Sequence, residues 1–501
     1  MRLPGEGNDF VDIEEGIISS ATTTTWRVAV IGGGMTGLAA AHRLQELSAE
    51  HRIPLDLTLF EAGDHPGGLV ATRMMAGYRV ELGADSFITN KPWAINLCRR
   101  LGLEDRLIPT NAEHRRSLVL RAGKPVPVPE GFQLLAPVDI RTVLHSPIFT
   151  WRGKLRLAME YVVPRGPAGQ DESLGHFVRR RLGREALERL VQPMVGGIYT
   201  SDPERLSLRA TMPRFLEMEE KYGSLIRALQ AQKKRGMTED SGASGARYGL
   251  FMTPQGGIGE LVEALVEHVS KGARIQLETE VSAIVPEEGG GFRVELADGG
   301  SEGYDAVVVA VPAYRSADLL RAFLPKAAQE LEQIEYASTA IVVSGHKLSD
   351  IRHPLDAFGL VIPAIERRRI LAVSFTSRKF PGRAPEGCVQ LRTFVGGAMQ
   401  PEMINCSDSE LLALVREELE SILGVTWKPD FTTIARWNRS MPQYHVGHLD
   451  RVARIEREIA PFPRLALAGN AYHGVGLPDS IHSGEQAAER LASLRCESAS
   501  R

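Results

Sequence analysis

The segment Gly32-Gly33-Gly34-Met35-Thr36-Gly37 constrains this chain more than any other, because of what stands on either side of it. An apolar run, Val28 to Ile31, precedes it, an Ala- and Leu-rich helical stretch follows, and Leu55 to Phe60 then ends at Glu61. The order strand, turn, helix, strand, acid is that of a dinucleotide site. Gly32 permits the tight turn, Gly34 lets the backbone approach a pyrophosphate, and Gly37 lets helix and strand pack closely. The helix N-terminus offers N–H groups and a partial positive charge to the phosphates. Glu61 reaches the ribose hydroxyls and repels a 2′-phosphate, which favours FAD or NAD over NADP. The interval from Gly37 to Glu61 exceeds the usual spacing of about twenty residues, and the polar insertion Ser48 to Arg52 accounts for the excess. A βα turn with incidental glycines is the alternative reading.

At 501 residues the chain is long enough to require two or more domains. Its 43% hydrophobic and 24% charged content is ordinary for a soluble protein, and a formal net charge of −3 gives no sign of a nucleic-acid partner. Cys98, Cys388, Cys406 and Cys496 are far apart and form no CxxC, so neither a zinc cluster nor a dithiol pair is encoded. A reducing, cytoplasmic setting is expected. The acidic first 26 residues lack a basic start and an apolar core, and read as a disordered tail instead of a signal peptide. No stretch approaches the roughly 18 to 20 apolar residues needed to span a bilayer, so any membrane contact is at most peripheral.

Pro92 to Leu101 and Glu104 to Ile108 read as helical, and Ser117 to Leu120 as a strand. Lys154 to Val163, Leu174 to Leu182 and Arg184 to Val191 space their apolar residues by three or four, which predicts an all-helical insertion. Gly236 to Gly249 reads as an exposed loop. The amphipathic stretch Leu261 to Val269 is followed by the short strands Ile275 to Leu277, Val281 to Val285, Phe292 to Leu296 and Asp305 to Val311. Runs near Ala340 to Gly345, Gly359 to Ile362, Leu371 to Phe375 and Val389 to Val395 predict a mixed antiparallel sheet in another domain.

Two further segments sharpen the nucleotide reading. One runs from Glu61-Ala62 through Gly67-Gly68-Leu69 to Glu81-Leu82-Gly83-Ala84-Asp85-Ser86-Phe87. The other is Leu467-Ala468-Gly469-Asn470-Ala471-Tyr472-His473-Gly474-Val475-Gly476-Leu477-Pro478-Asp479. The late strand-turn-helix offers amide donors to a flavin, a return to the cofactor for which a nicotinamide enzyme has no use. This combination resembles the flavin amine oxidase and desaturase superfamily. Within it, Gly83 to Lys91, Pro193 to Asp202, Met441 to His448 and Gly469 to Asp479 are similar to the bacterial protoporphyrinogen and coproporphyrinogen oxidases. The resemblance spans about residues 27 to 495, and departs from the family pattern at Ala84, where Pro is common.

The resemblance implies an α/β fold: a discontinuous FAD-binding Rossmann-type domain over 27–91, 250–312 and 447–495, and a mixed-sheet substrate domain over 217–249 and 313–446. Residues 92–216 would form a mainly helical insertion lining the cavity. FAD would lie against Gly32, Gly33, Gly34, Met35, Thr36, Gly37, Glu61, Ala62, Gly68, Leu69, Gly83, Ala84, Asp85 and Ser86, with Val281 by the adenine. Trp437, Asn470, Val475, Gly476 and Leu477 would border the isoalloxazine. On the substrate side the resemblance implies Lys91, Gly197, Tyr199, Leu360 and Phe394. Lys91 is equally readable as a solvated lysine, Gly197 as a helix C-cap, and Leu360 and Phe394 as plain core. No universal acid or base is implied.

The activity implied is oxidation of coproporphyrinogen III, with protoporphyrinogen IX as the alternative substrate, molecular oxygen as acceptor, and possible handover to a ferrochelatase. Either a monomer or a homodimer is compatible. His445 and His448 form an HxxH without helical context or clustered ligands, so no metal site is expected. An amine oxidase would need an aromatic cage that Tyr472 alone does not supply. No Cys lies in the C-terminal loop to attach a flavin covalently.

Overall fold

Two large sheets, four small ones and a helical unit make up the described part of the molecule, in a computed structural model that describes residues 25–167, 169–235 and 251–499. The loop expected over 236–249 and all but the last two residues of the expected tail lie outside these residues. Trp26, assigned to the tail from sequence, instead opens the first strand and pairs with Leu55.

The first sheet has five parallel strands in the order Ala273–Gln276, Leu55–Phe60, Trp26–Ile31, Ala306–Val309 and Leu465–Leu467. Its strands are apolar almost throughout because both faces are covered. Val28, Val30, Leu57 and Leu59 pack against the helices Met35–His51, Gly259–Ser270 and Leu477–Ala499. Ala29, Ile31, Val307 and Val309 join the core of the opposite face. That face holds the helices Ala313–Leu320, Pro325–Glu332 and His448–Ile459, and the antiparallel sheet that begins with Val281–Pro286. Residues 313–332, expected in the substrate domain, are therefore packed on the nucleotide sheet.

The second sheet is mixed and seven-stranded: Phe431–Pro442, Tyr336–Lys347, Cys388–Gly396, Ala372–Phe375, Gly359–Val361, Ser117–Arg121 and Lys124–Pro127. Only the pair Gly359–Val361 with Ser117–Arg121 is parallel. One face buries Leu118, Val342, Leu360 and Leu391 against the helix Asp408–Leu423, whose start is fixed by a Ser407–Glu410 capping box. The other places Ile341, Val343, Phe394 and Trp437 against Tyr78, Val80 and Leu82.

The span 92–216 is not wholly helical. Its early part supplies two strands to the seven-stranded sheet, and Glu104–Arg106 is a single 3-10 turn leading into a strand, Leu107–Pro109, that pairs with Phe251–Pro254. The prolines of Lys124–Pro127 lack the N–H a ladder needs and restrict the segment to the sheet edge. From Ile140 onward the span is helical, and the helices Pro213–Tyr222 and Leu225–Lys234, expected in the substrate domain, share its core.

A buried ion network ties that helical unit together. Arg181 and Glu160 are both fully buried; the Arg181 Nε donates to Glu160 Oε1 at 3.1 Å, and its Nη1 lies 3.2 Å from Glu219. Glu160 also accepts from the Ser224 hydroxyl and the Leu225 N–H. Replacing Arg181 with Met strands the Glu160 carboxylate in the core, while Glu219 keeps Arg180. The expected loss is about 3 to 5 kcal/mol, read as a lowered urea midpoint at unchanged slope.

Candidate active site

The glycine turn stands at the C-terminal end of the first parallel strand, where open α/β sheets bind ligands. Gly32 donates to the Phe60 carbonyl at 2.8 Å, and a Cβ on Gly37 would overlap the Gly32 carbonyl, so helix and turn meet backbone to backbone. Met35 and Thr36 are buried in the first helical turn. Glu61 braces the turn: its Oε2 accepts from the Gly33 N–H and its Oε1 from the Gly63 N–H, both at 2.7 Å. Each oxygen retains a lone pair for a ribose hydroxyl. Ala62, Gly68 and Leu69 are exposed beside the turn. Gly67, not among the residues expected from sequence, bridges to Gly34 and donates to the Gly33 carbonyl at 2.8 Å. The Gly-Gly pair signalled it. Val281 opens a strand just after Thr279, whose N–H donates to the Glu61 carbonyl.

Gly83 is required by chain packing, since a Cβ there would overlap the Leu69 carbonyl. Ala84 is exposed next to it. The Asp85 carboxylate, on the segment expected to lie along the cofactor, is turned into a cluster of charged and polar side chains. Lys379 Nζ lies 3.0 Å from its Oδ1, Arg392 lies 3.3 Å from its Oδ2, and the Ser86 hydroxyl donates to Oδ1 at 2.8 Å. Burial pushes this carboxyl upward, yet Lys379, Arg392 and the hydrogen bonds outweigh it and hold the group well below the usual carboxylate range. Arg392 also donates to the Gly83 carbonyl and lies over the Phe394 ring. Trp437 Nε1 donates to the Leu82 carbonyl at 2.8 Å. Phe394 and Trp437 thus border the Gly83 turn together. Lys379 and Arg392 were missed because they come from a short helix and a strand remote in sequence and carry no motif.

The C-terminal loop completes the arrangement. Gly469 donates to the Ser483 hydroxyl, and Asn470 is half-buried with its carbonyl accepting from Tyr444. Gly476 and Leu477, both half-buried, lead into the last helix. Lys91 is paired: its Nζ lies 2.6 Å from Asp479, whose side chain sits against Gly474 and Gly476. Trp93, beneath Lys91, stacks on His482. His473 points outward to Glu456. His448 is neutral, pushed down to about 4 by burial, and its Nε2 faces the Tyr472 carbonyl, while His445 faces Glu335.

Tyr199, Val361 and Val475 each pack against the helical core, so the second sheet and the C-terminal loop both adjoin it. Val361 Cγ1 is 3.8 Å from where a Gly197 Cβ would stand, so the strand passes within a van der Waals contact of that helix. Burial and Asp479 push the Tyr199 phenol up to about 12, and its hydroxyl donates to the Thr211 carbonyl. Leu360 is a correction. It is 1% exposed on the opposite face, in the core under Asp408–Leu423, and its neighbour Val361 faces the helical unit. Successive strand residues point to opposite faces, and the apolar character of both hid which one looked inward.

FAD fits these residues. The first helix has Gly34 as its N-cap with no side-chain cap, and a Cβ on Gly34 or on Gly469 would meet no protein atom within 4 Å. Both glycines border open space where a flat ligand and its diphosphate have room. Asp85→Asn leaves Lys379 and Arg392 buried without their anion, a loss of about 3 to 5 kcal/mol at neutral pH. A depressed carboxylate contributes stability above its unfolded pKa of about 3.9 and loses it as pH falls. The gap between wild type and Asp85→Asn in urea melts is therefore constant from pH 8 to 5 and narrows below about pH 4.

Residues 35–492 match the model of the flavin containing amine oxidoreductases. The chain is 34% identical to the coproporphyrinogen III oxidase of Bacillus subtilis, covering 92% of this chain and 96% of that protein. It is 35% identical to that of Propionibacterium freudenreichii, covering 93% and 90%. Among solved structures, an Exiguobacterium protein provisionally described as a protoporphyrinogen oxidase superposes with a TM-score of 0.82 at 32% identity, covering 94% of this chain and 99% of that one. With FAD as its cofactor, the chain belongs to the flavin containing amine oxidoreductase family, alongside the bacterial coproporphyrinogen III oxidases.

Proposed function

We propose that this protein oxidises coproporphyrinogen III to coproporphyrin III, removing six electrons in three rounds with molecular oxygen as acceptor. The observation that carries this reading is the match to coproporphyrinogen III oxidases over more than nine-tenths of the chain, with Tyr199, Val361 and Val475 packed on one helical core as apolar surface for a macrocycle. When bound, FAD takes up a hydride equivalent and returns the electrons to oxygen.

The chain's own part is binding, orientation and exclusion of water. Gly32 to Gly37, Glu61 and Val281 hold the nucleotide; Asn470 and Val475 to Leu477 border the ring system on one side, with Trp437 and Phe394 on the sheet side. Tyr199 stays protonated at any physiological pH and serves as a neutral wall. Tyr199, Val361 and Val475 supply no acid or base, so the macrocycle carries its own proton loss after each hydride departure. Lys91 offers a cation at the loop, and a substrate propionate reaching it shares it with Asp479. The nearly full-length identity to relatives named as coproporphyrinogen III oxidases supports the tetrapropionate substrate over protoporphyrinogen IX.

A peripheral membrane contact is supported by one face of the helical unit. Among the described residues no helix is long and apolar enough to cross a membrane. Yet Leu144, Trp151, Leu155, Met159 and Val162 are exposed together on consecutive turns, Trp151 at 74% and Val162 at 73%. Arg141, Arg152 and Arg165 are exposed around them, and the only acid from 140 to 165, Glu160, is fully buried. An apolar stripe carrying Trp and flanked by Arg141, Arg152 and Arg165 suits the surface of an anionic bilayer.

Incubated aerobically with each porphyrinogen, the FAD-loaded protein is expected to give the higher kcat/KM with coproporphyrinogen III, read by porphyrin fluorescence over an enzyme-free control. A preference for protoporphyrinogen IX would reassign the substrate, and no enzyme-dependent oxidation of either would bring the amine oxidases forward. In flotation assays the protein should bind vesicles containing phosphatidylglycerol, and Trp151→Ser with Leu155→Ser should weaken binding by about tenfold or more. Equal binding of this double variant would refute the stripe as the contact.

A further inference from the structure

The strand Phe431–Pro442 leaves the second sheet through Gln443 and Tyr444, and this short corner touches every part of the site. Gln443 donates its N–H to the Glu335 carbonyl at 2.8 Å and accepts from the Ser201 hydroxyl at 2.6 Å, next to Tyr199. The Tyr444 carbonyl accepts from the Ser207 N–H at 2.7 Å, and His445 bridges to Leu206. The corner is therefore bound to the segment that closes the helical wall. Its one side chain aimed the other way is Tyr444, 2% exposed, stacked on the His448 ring at 3.8 Å between centroids.

The Tyr444 hydroxyl donates to the Asn470 carbonyl at 2.6 Å and accepts from the Gly474 N–H at 2.8 Å. A phenol has one proton and two lone pairs, so a single buried group takes both ends of a five-residue span in a loop that carries Gly469, Gly474 and Gly476. Such a loop is costly to order, and its own buried residues, Ala471 and Tyr472, anchor only the middle of the span. His448 reinforces the clamp from the next turn, where its Nε2 faces the Tyr472 carbonyl at 3.0 Å.

We propose that the Tyr444 hydroxyl is the positioning group of the flavin-facing loop, fixing Asn470 to Gly474 so that Val475 to Leu477 meet the isoalloxazine in one conformation. Tyr444 acts through the loop backbone and touches neither substrate nor cofactor. The inference rests on the placement of the isoalloxazine against this loop, not on the identity of the porphyrinogen. It explains why a buried tyrosine stands at the junction of helical wall and loop, where a phenylalanine would fill the same volume.

Tyr444→Phe keeps the ring, its stacking and its volume, and leaves the Gly474 N–H and Asn470 carbonyl without this partner. In the FAD-loaded variant the Gly474 amide should exchange at least about tenfold faster by hydrogen–deuterium exchange, and the visible flavin bands should shift. An unchanged Gly474 amide, or a loosened amide with unshifted flavin bands, overturns the proposal. In the unaltered FAD-loaded protein the same amide should exchange at least about tenfold more slowly than in the unfolded chain, and free exchange there overturns it whether or not the variant folds. Neither readout needs turnover, so both stand even if the protein fails to oxidise coproporphyrinogen III.

Discussion

The molecule depends on one buried carboxylate shared between its two sheets. Among the described residues no strand passes from the five-stranded sheet to the seven-stranded one, so side chains do much to set their relative placement. Asp85, on the turn beyond the nucleotide strands, is held by Lys379 and by Arg392 of the second sheet, and Arg392 also grips the Gly83 carbonyl. Nearby, Arg383 lies 3.8 Å from Glu81, both fully buried, and Glu81 accepts from Thr72 and from the Ile258 N–H at the start of a nucleotide-side helix. Ion pairs removed from water are poor net stabilisers but penalise any alternative arrangement that strands a charge. That geometric selectivity is what a site built between two sheets needs.

Around this frame the cofactor side and the substrate side are made by different physics. The cofactor side is backbone: the Gly32 turn, the bridge between Gly34 and Gly67, and the Gly469 to Gly476 loop present amides and open width where side chains would intrude. The substrate side is apolar surface drawn from three units, with Tyr199 kept neutral by burial. The protein thereby excludes water from a reaction whose electrons and protons are handled by cofactor and macrocycle.

The nucleotide turn was legible in the sequence because its chemistry is local: glycines, helix start and acid sit within one βα unit, in the order strand, turn, helix, strand, acid that the structure has. The Gly83 to Ser86 turn was found for a reason that proved incomplete. Its motif marked the position, but the direction of the Asp85 carboxylate was set by Lys379, nearly three hundred residues away. Leu360 and Val361 are equally apolar, and only the helix under the sheet decides which of them faces the cavity. The edge strand Lys124–Pro127 was hidden by its own prolines, and the helices at 313–332 by an order in the chain that does not match their place in space. Periodicity reports that a residue is buried, not against what.

The most direct measurement is a crystal structure of the FAD-loaded protein with coproporphyrin III bound. The account predicts the diphosphate at the helix start beside Gly34, the isoalloxazine between the Val475 to Leu477 loop and the face bearing Phe394 and Trp437, and the macrocycle against Tyr199 and Val361. A flavin remote from that loop, or a porphyrin seated on the outer face of the helical unit, would contradict it.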